Sequence, residues 1–267
     1  MNFSPITLHD LNDLKALQPA DWPDIVTDIE KYLNWSFCHP FKLTINNSIV
    51  GTGSSIVFEK TGWLAHIIVH PDFRNKGLGT IIVNELLKHQ KDHQVKSSLL
   101  IATKLGYPVY QKAGFRPVDE YIFLKRDTVR PEYLISSDII PYSKEYKQTL
   151  LELDKTISCE NREKLIEFYL SDSLLYVNND KLEGFYFPTL KEGPIYANTE
   201  SAGIELMKLK YVTVHKAVMP AENKAGITFL KHYRFSETTT TGTRMIFGEE
   251  IPWHPEMVFS RIGGNFG

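Results

Sequence analysis

The segment at residues 74–79 reads Arg-Asn-Lys-Gly-Leu-Gly and combines two cations with two glycines. Glycine has no Cβ, so backbone N–H groups beside it can come close to an anion. A helix that starts here would add its dipole and its unpaired N–H groups. Arg74 and Lys76 supply full positive charge. We therefore expect a phosphate-binding loop at this point of the chain.

The elements on either side of this loop are a strand and a helix. Residues 67–69, Ile-Ile-Val, form a short apolar run that ends before a proline, which is typical of a buried strand. After the loop, the apolar residues have the spacing of one helix face; they are Ile82, Val83, Leu86 and Leu87. The predicted unit is a strand, a glycine loop and a helix, in that order.

Two well-known phosphate loops are excluded by the order of the residues. A Walker A motif needs Gly-Lys-Ser/Thr, but Lys76 precedes Gly77. A Rossmann fingerprint needs a third glycine, and Ile82 stands at that position. The remaining pattern, Arg-x-x-Gly-x-Gly after a strand that ends in valine, resembles the pyrophosphate loop of the GNAT acetyltransferase superfamily. The alternative is an ordinary helix-capping loop.

A second group of residues strengthens this resemblance. Residues 97–102 form another apolar run, and a short helix with a tyrosine follows, ended by a Gly-Phe pair. In GNAT proteins such a strand and helix supply the other wall of the coenzyme site. In this chain Ala102-Thr103, Tyr110 and Gly114-Phe115 occupy those places, in the same order and separation from the loop. Two motifs in register over residues 63–115 favour the GNAT interpretation.

The resemblance implies that an acetyl group passes from acetyl-CoA to an amine, with no metal. It implies that the strand end binds the pantetheine arm, that the loop amides hold the pyrophosphate, and that the Val69 amide polarises the thioester carbonyl. The coenzyme-binding residues implied in this way are Ile67, Ile68, Val69, Arg74, Asn75, Lys76, Gly77, Leu78, Gly79, Thr80, Thr103 and Tyr110.

Tyr110 is also the candidate general acid. A phenol with its ordinary pKa of about 10 stays protonated at neutral pH and can donate to the departing thiolate. In the family that this chain resembles, the tyrosine at this place often has that role. The alternative for Tyr110 is simple packing of the helix against the sheet.

The general base is open. An alkylamine with a pKa of about 10.4 is almost fully protonated at neutral pH, so a base or a water chain must remove a proton. His66 and His70 lie at the strand end, where simple alternation would place both on one face unless a bulge intervenes. Glu59 and Glu120 are further candidates.

The second half repeats the predicted order of elements in the first. A polar segment with a proline, residues 126–131, suggests a boundary between residues 1–127 and 132–267. Turn signals at Asn46-Asn47 and Asn178-Asn179 predict matching hairpins. Glu200 stands at the start of the later helix and would repel a phosphate, and Leu230 stands where Tyr110 would be. We expect a diverged copy that binds no coenzyme and lines the acceptor cleft.

The whole chain therefore resembles two-domain GNAT proteins. Two further features of that group are present, Gly193-Pro194-Ile195 and Arg244-Met245 with Gly248. The resemblance implies tandem α/β (α+β) folds, each a mixed, largely antiparallel sheet flanked by helices. It leaves open transfer of a longer acyl group, and a non-catalytic sensor or scaffold that only binds acetyl-CoA.

Composition limits the partners. A net charge of −2 over 267 residues argues against a nucleic-acid or anionic-membrane surface. Two cysteines are too few for a disulfide framework, and no apolar run reaches the length of a membrane span. We expect a cytoplasmic monomer or homodimer whose partners are acetyl-CoA and either a small-molecule amine or a protein lysine.

Overall fold

The computed structural model describes residues 1–20, 22–127 and 134–267, so the predicted boundary at residues 126–131 lies largely outside the described residues. The strands are β1 (Asn2–Pro5), β2 (Cys38–Ile45), β3 (Ser48–Phe58), β4 (Thr61–Val69), β5 (Ser97–Ala102), β6 (Arg116–Lys125), β7 (Ile139–Pro141), β8 (Leu174–Asn178), β9 (Lys181–Tyr186), β10 (Ile195–Ala197), β11 (Lys216–Pro220), β12 (Ser236–Gly248) and β13 (Val258–Ser260). The α-helices are α1 (Ile25–Leu33), α2 (Leu78–Asp92), α3 (Tyr107–Lys112), α4 (Lys147–Ser158), α5 (Glu163–Ile166), α6 (Glu200–Lys210) and α7 (Lys224–His232). Within the described residues, no helix is long and apolar enough to cross a bilayer.

The chain divides into two compact units, each assembled from segments that are distant in sequence. The first unit comprises Met1–Pro117, Met245–Glu250 and Gly264–Phe266. The second unit comprises Val118–Arg244, Ile251–Gly263 and Gly267.

The first unit is a mixed sheet with helices on both faces. Its strand order is β1-β2-β3-β4-β5, with the end of β12 beside β5. The pairs β1–β2, β2–β3 and β3–β4 are antiparallel, and β4–β5 is parallel. Asn46 and Asn47 both have a left-handed backbone, with φ of 49° and 64°, so the predicted hairpin turn between β2 and β3 is confirmed.

Helix α2 packs closely on β3 because two glycines in that strand make room for it. A Cβ at Gly51 would lie 2.8 Å from the side chain of Ile82, and one at Gly53 would lie 2.7 Å from it. Ile82 is fully buried in a core that also contains Leu64 and Leu100. The glycines therefore fix how α2, and with it the loop at its start, is placed on the sheet.

The second unit contains an antiparallel sheet of its own. Its strand order is β13-β10-β9-β8-β7, and β11 pairs with β6 in antiparallel fashion. The predicted turn at Asn178-Asn179 is wrong by one residue, since the left-handed pair is Asn179 and Asp180, with φ of 49° and 61°. A Cβ at Gly184 would lie 3.1 Å from Leu206, so α6 lies close to β9 as α2 lies close to β3.

Candidate functional site

A β-bulge interrupts β4 shortly before the glycine loop. Ser54 on β3 is opposite Ala65 and Thr52 is opposite Ile68, so two residues of β4 face one residue of β3. His66 lies in this bulge with φ of 49°. Simple alternation is therefore wrong for β4, because the extra residue moves the following side chains by one position. Ile67 joins the core under α2, whereas Ile68 packs with α1 on the opposite face.

The strands β4 and β5 separate halfway along their length. They pair in parallel from Thr61–Ser97 to Trp63–Leu99, and these two fully described strands form no further pair. Beyond Trp63, no strand of the described residues pairs with the edge of β4 that faces away from β3. The predicted coenzyme-binding residues 67–69 lie on this edge, next to the loop.

The loop bends so that consecutive N–H groups lie at the start of α2. Asn75 and Gly77 are both left-handed, with φ of 60° and 77°, and backbone of this kind forms anion-binding concavities. Gly77 is the N-cap of the 15-residue helix α2, and no side chain caps it. Among the described residues, none accepts a hydrogen bond from the backbone N–H groups of residues 75–80. This helix start therefore keeps its donors available for an anion.

The two predicted cations are anchored to backbone carbonyls of the same region. Arg74 Nε donates to the Val69 carbonyl at 3.2 Å, and Lys76 Nζ donates to the Asp72 carbonyl at 3.0 Å. Lys76 Nζ also lies 5.0 Å from the centre of the Phe73 ring. Each cation uses one donor in this way, and both side chains are capable of several more. The positive charge is thus held beside the loop amides.

The glycines of the loop are not required by packing inside the protein. A Cβ at Gly79 would meet only Val109 Cγ1, at an ordinary contact distance of 3.6 Å, and one at Gly77 would meet no atom within 4 Å. Gly77 is nevertheless restricted by its backbone, because a left-handed φ disfavours any residue with a Cβ. Contact between Gly79 and Val109 shows that α3 lies against the first turn of α2.

Tyr110 lies on this adjacent helix. The Thr103 carbonyl accepts N–H bonds from Gly106 at 3.0 Å and Tyr107 at 2.9 Å, which turns the chain from β5 into α3. A Cβ at Gly106 would lie 2.8 Å from Tyr110 Cε2 and 3.3 Å from its hydroxyl oxygen, so the ring rests on this glycine. Burial raises the pKa of Tyr110 to about 12, although part of the residue remains accessible. Its hydroxyl therefore keeps its proton throughout the neutral range.

His66 is buried and has an acidic neighbour. Its Nε2 lies 3.3 Å from Asp28 Oδ2 on α1 and 3.5 Å from the side-chain nitrogen of Asn265. Its ring lies 5.5 Å from the ring of Tyr32. Asp28 was not among the predicted site residues. The sequence contains one indication of its role, because Asp28 lies beside Ile25 and Ile29, which form the buried apolar face of α1.

The other predicted bases have different surroundings. His70 Nδ1 accepts the N–H of Asp72 at 3.3 Å and caps the short 3-10 helix Pro71–Phe73. Glu59 lies in the turn before β4. Because the 9 residues of β4 separate this turn from the loop, the distance between them is about 30 Å. Glu120 belongs to the second unit, where its carboxylate accepts the hydroxyl of Thr243 at 2.9 Å.

The corresponding place in the second unit is closed by its own residues. Thr199 caps α6 through its hydroxyl, which accepts the N–H of Ala202 at 3.3 Å, and Glu200 lies in the first turn. Gly203 is packed against Phe259, since a Cβ there would lie 2.3 Å from the ring. Leu230 is fully buried.

Comparisons with known proteins agree with this geometry. Residues 8–115 match the family model described as Acetyltransferase (GNAT) family. A candidate acetyltransferase from Pyrococcus horikoshii has a similar fold over 100% of this chain and 95% of its own, with a TM-score of 0.85 and 18% identity. A GCN5-related N-acetyltransferase from Sphaerobacter thermophilus covers 92% of this chain and 95% of its own, with a TM-score of 0.63 and 14% identity. No curated protein matches this chain.

A tandem GNAT protein from the clavulanic acid biosynthesis pathway is also similar. It covers 92% of this chain and 98% of its own, with a TM-score of 0.64 and 11% identity. The chain has a tandem GNAT fold, with helices flanking mixed, largely antiparallel sheets. Residues 8–115 are thus similar to the GNAT family, and the solved structures share the fold of the chain.

Proposed function

We propose that this protein is an acetyl-CoA-dependent N-acetyltransferase with its active site in the first unit. The observation that carries this proposal is the start of α2, where six consecutive amides, residues 75–80, have no acceptor among the described residues. Arg74 and Lys76 add positive charge beside them. Such a helix start binds phosphate groups through its N–H donors, its dipole and the neighbouring cations, and the diphosphate of acetyl-CoA supplies such groups.

The separated edge of β4 is suited to the rest of the coenzyme. The pantetheine arm would pair with the free edge of residues 67–69 as an additional strand. The Val69 N–H would donate to the thioester carbonyl as negative charge develops on its oxygen. Leu78 and Gly79 would supply amides to the pyrophosphate, and Thr80 and Thr103 would line its two sides.

In the reaction, the amine nitrogen attacks the thioester carbon and the carbon–sulfur bond breaks. Tyr110 would give its proton to the departing thiolate, a role that suits a phenol whose pKa lies near 12. A base must also take one proton from the attacking amine. We assign this role to His66 rather than His70, because Asp28 would stabilise the imidazolium that forms, whereas His70 Nδ1 is used in a cap.

The first test is calorimetric titration of the full chain with acetyl-CoA. Gly77→Glu adds a negative charge and a side chain at a left-handed position, so we expect binding to fall by at least about 100-fold, as for lost charge-assisted hydrogen bonds. Asn179→Glu is the matched control, since it adds the same charge to a left-handed turn in the second unit. Unchanged affinity in Gly77→Glu would remove the loop from the coenzyme site.

The second test identifies the acceptor. Release of free coenzyme thiol is followed while primary amines are offered in turn, including small-molecule amines and lysine peptides. Turnover with one class of amine supports the enzyme. Tight binding of acetyl-CoA without turnover of any acceptor would instead favour a sensor or scaffold.

A further inference from the structure

Three histidines lie close to one another in the first unit, away from the glycine loop. His39 lies on β2, and His89 and His93 lie one turn apart near the end of α2. Each has a ring nitrogen within 4.8 Å of a ring nitrogen of the other two. The ring centres are 4.7 Å apart for His39–His89, 5.3 Å for His39–His93 and 4.2 Å for His89–His93.

Hydrogen bonds orient two of these rings. His93 Nδ1 lies 2.8 Å from the carbonyl oxygen of His89. Since a carbonyl can only accept, Nδ1 carries the hydrogen and Nε2 holds a lone pair. His89 Nδ1 lies 3.0 Å from the hydroxyl of the buried residue Ser55, which leaves its Nε2 for another partner. Bonds of this kind fix the orientation of metal-binding imidazoles.

We propose that His39, His89 and His93 bind one Zn²⁺ ion, with water in the fourth position. Tetrahedral zinc with Zn–N distances of about 2.0–2.1 Å requires ligand nitrogens about 3.3 Å apart. The ring nitrogens lie within 4.8 Å of one another in the structure, so zinc binding would draw the three rings closer together. Imidazole nitrogens favour zinc and its transition-metal neighbours over magnesium or calcium.

The site would have a structural role that is separate from acetyl transfer. His89 follows Gly77 by twelve residues along α2, which corresponds to about 18 Å. The ion would tie the end of α2 to β2, on the same layer of helix and sheet that positions the loop. Binding free energy gained in this way stabilises the folded state. The sequence alone does not reveal the site, because His39 is distant in sequence from His89 and His93 and no cysteine takes part in a metal-binding motif with them.

The test is titration of the full chain, first treated with a chelator and then dialysed, with ZnCl₂ by calorimetry. We expect one ion per chain and a rise in melting temperature with zinc. Substituting Co²⁺ should give the intense visible absorption of a tetrahedral site. Ni²⁺ and Cu²⁺ should compete with zinc, whereas Mg²⁺ should have no effect.

Variants decide whether these three side chains are the ligands. His93→Gln changes an exposed residue and should lower zinc affinity by at least about 100-fold, and Ser55→Ala, which removes only an orienting partner, by about 10-fold. His232→Gln, an exposed histidine at a helix end in the second unit, is the control and should bind as wild type.

Two results would overturn the proposal. One is the absence of both heat and a melting shift with zinc in the wild-type chain. The other is wild-type affinity in His93→Gln. Acetyl-CoA binding is measured in the same samples and should be unchanged in His93→Gln, so failure of the zinc site is distinguishable from failure of the coenzyme site.

Discussion

The N-termini of α2 and α6 occupy the same place in the two units, because each helix follows a strand and a connecting loop. They differ in how their backbone N–H groups are capped. At α2 the N-cap is Gly77, no side chain caps the helix, and cations flank the turn. At α6 the hydroxyl of Thr199 accepts a hydrogen bond from the N–H of Ala202, and Glu200 adds negative charge. We infer that a strand–turn–helix unit can bind an anion at its helix start when its own side chains leave the helix donors unused.

The glycines near the two helix starts differ in the same sense. Gly79 has only an ordinary contact at its missing Cβ, with Val109 at 3.6 Å. Gly203 lies under the ring of Phe259, and a Cβ there would be 2.3 Å from it. In our proposal, Gly79 is a glycine so that a ligand can come close to the backbone. Gly203 is a glycine because the Phe259 ring packs directly against it.

The largest expected effect concerns Tyr110, whose counterpart Leu230 cannot donate a proton. Tyr110→Phe should lower kcat by about 100-fold or more, because the thiolate then leaves without a proton donor, while acetyl-CoA affinity stays similar. Tyr107→Phe, on the same helix, is the control. Single-turnover thiol release separates chemistry from product release, and a wild-type rate in Tyr110→Phe would exclude the tyrosine from the mechanism.

Substitution of the two glycines by alanine should give opposite results. Gly203→Ala forces a methyl group against Phe259 and should lower the free energy of unfolding by about 1–3 kcal/mol without changing acetyl-CoA affinity. Gly79→Ala should leave stability unchanged or slightly higher, because alanine favours helix, but should weaken coenzyme binding about 10-fold or more. Chemical denaturation and calorimetry of both variants measure this. Equal losses of affinity would show that the two helix starts do not differ as argued.

Much of this contrast is predictable from the sequence, since local signals carry it. Apolar residues at helical spacing and the two glycines define α2 and its loop, and the apolar run at residues 97–102 coincides with β5. Gly114, which has φ of 95°, ends α3 as predicted. The charge difference between Lys76 and Glu200 is visible directly in the sequence.

The features that were missed depend on contacts between distant residues. The bulge at His66 arises from the register between β3 and β4, and its acidic neighbour Asp28 comes from a separate helix. The end of β12, from Met245 on, belongs to the first unit, although it follows the segments of the second unit in sequence. Periodicity reports which face of an element is buried but not which strand lies beside it.

The cap of α6 provides a smaller test of the comparison. Thr199→Ala leaves the N–H of Ala202 without its side-chain acceptor and should cost about 1 kcal/mol of unfolding free energy. Thr199→Ser, which keeps the hydroxyl, should retain most of the stability. Urea denaturation monitored by circular dichroism gives both values. A loss of the same size in Thr199→Ser would show that the methyl group of Thr199, rather than its hydroxyl, stabilises the helix start.

The smallest effect is a pH dependence that separates two lysines, each of which donates to backbone carbonyls beside a turn. Lys76 is exposed, whereas Lys210 is buried and donates to the carbonyls of Glu192 and Gly193 and to the Ser260 hydroxyl. Burial lowers the pKa of Lys210 to about 7, below the value of about 10.4 for an unfolded lysine. Between these values the unfolded chain binds more protons, so stability should rise with pH across that window.

Lys210→Met removes the titrating group and should flatten the dependence of unfolding free energy on pH between about pH 7 and about pH 10. Lys76→Met, which removes an exposed lysine in the same way, is the matched control variant. Urea denaturation at several pH values in this window measures all three slopes. A slope in Lys210→Met as steep as in wild type would assign the pH dependence to another group, and Lys210 would then be a charged lysine stabilised fully by its three acceptors.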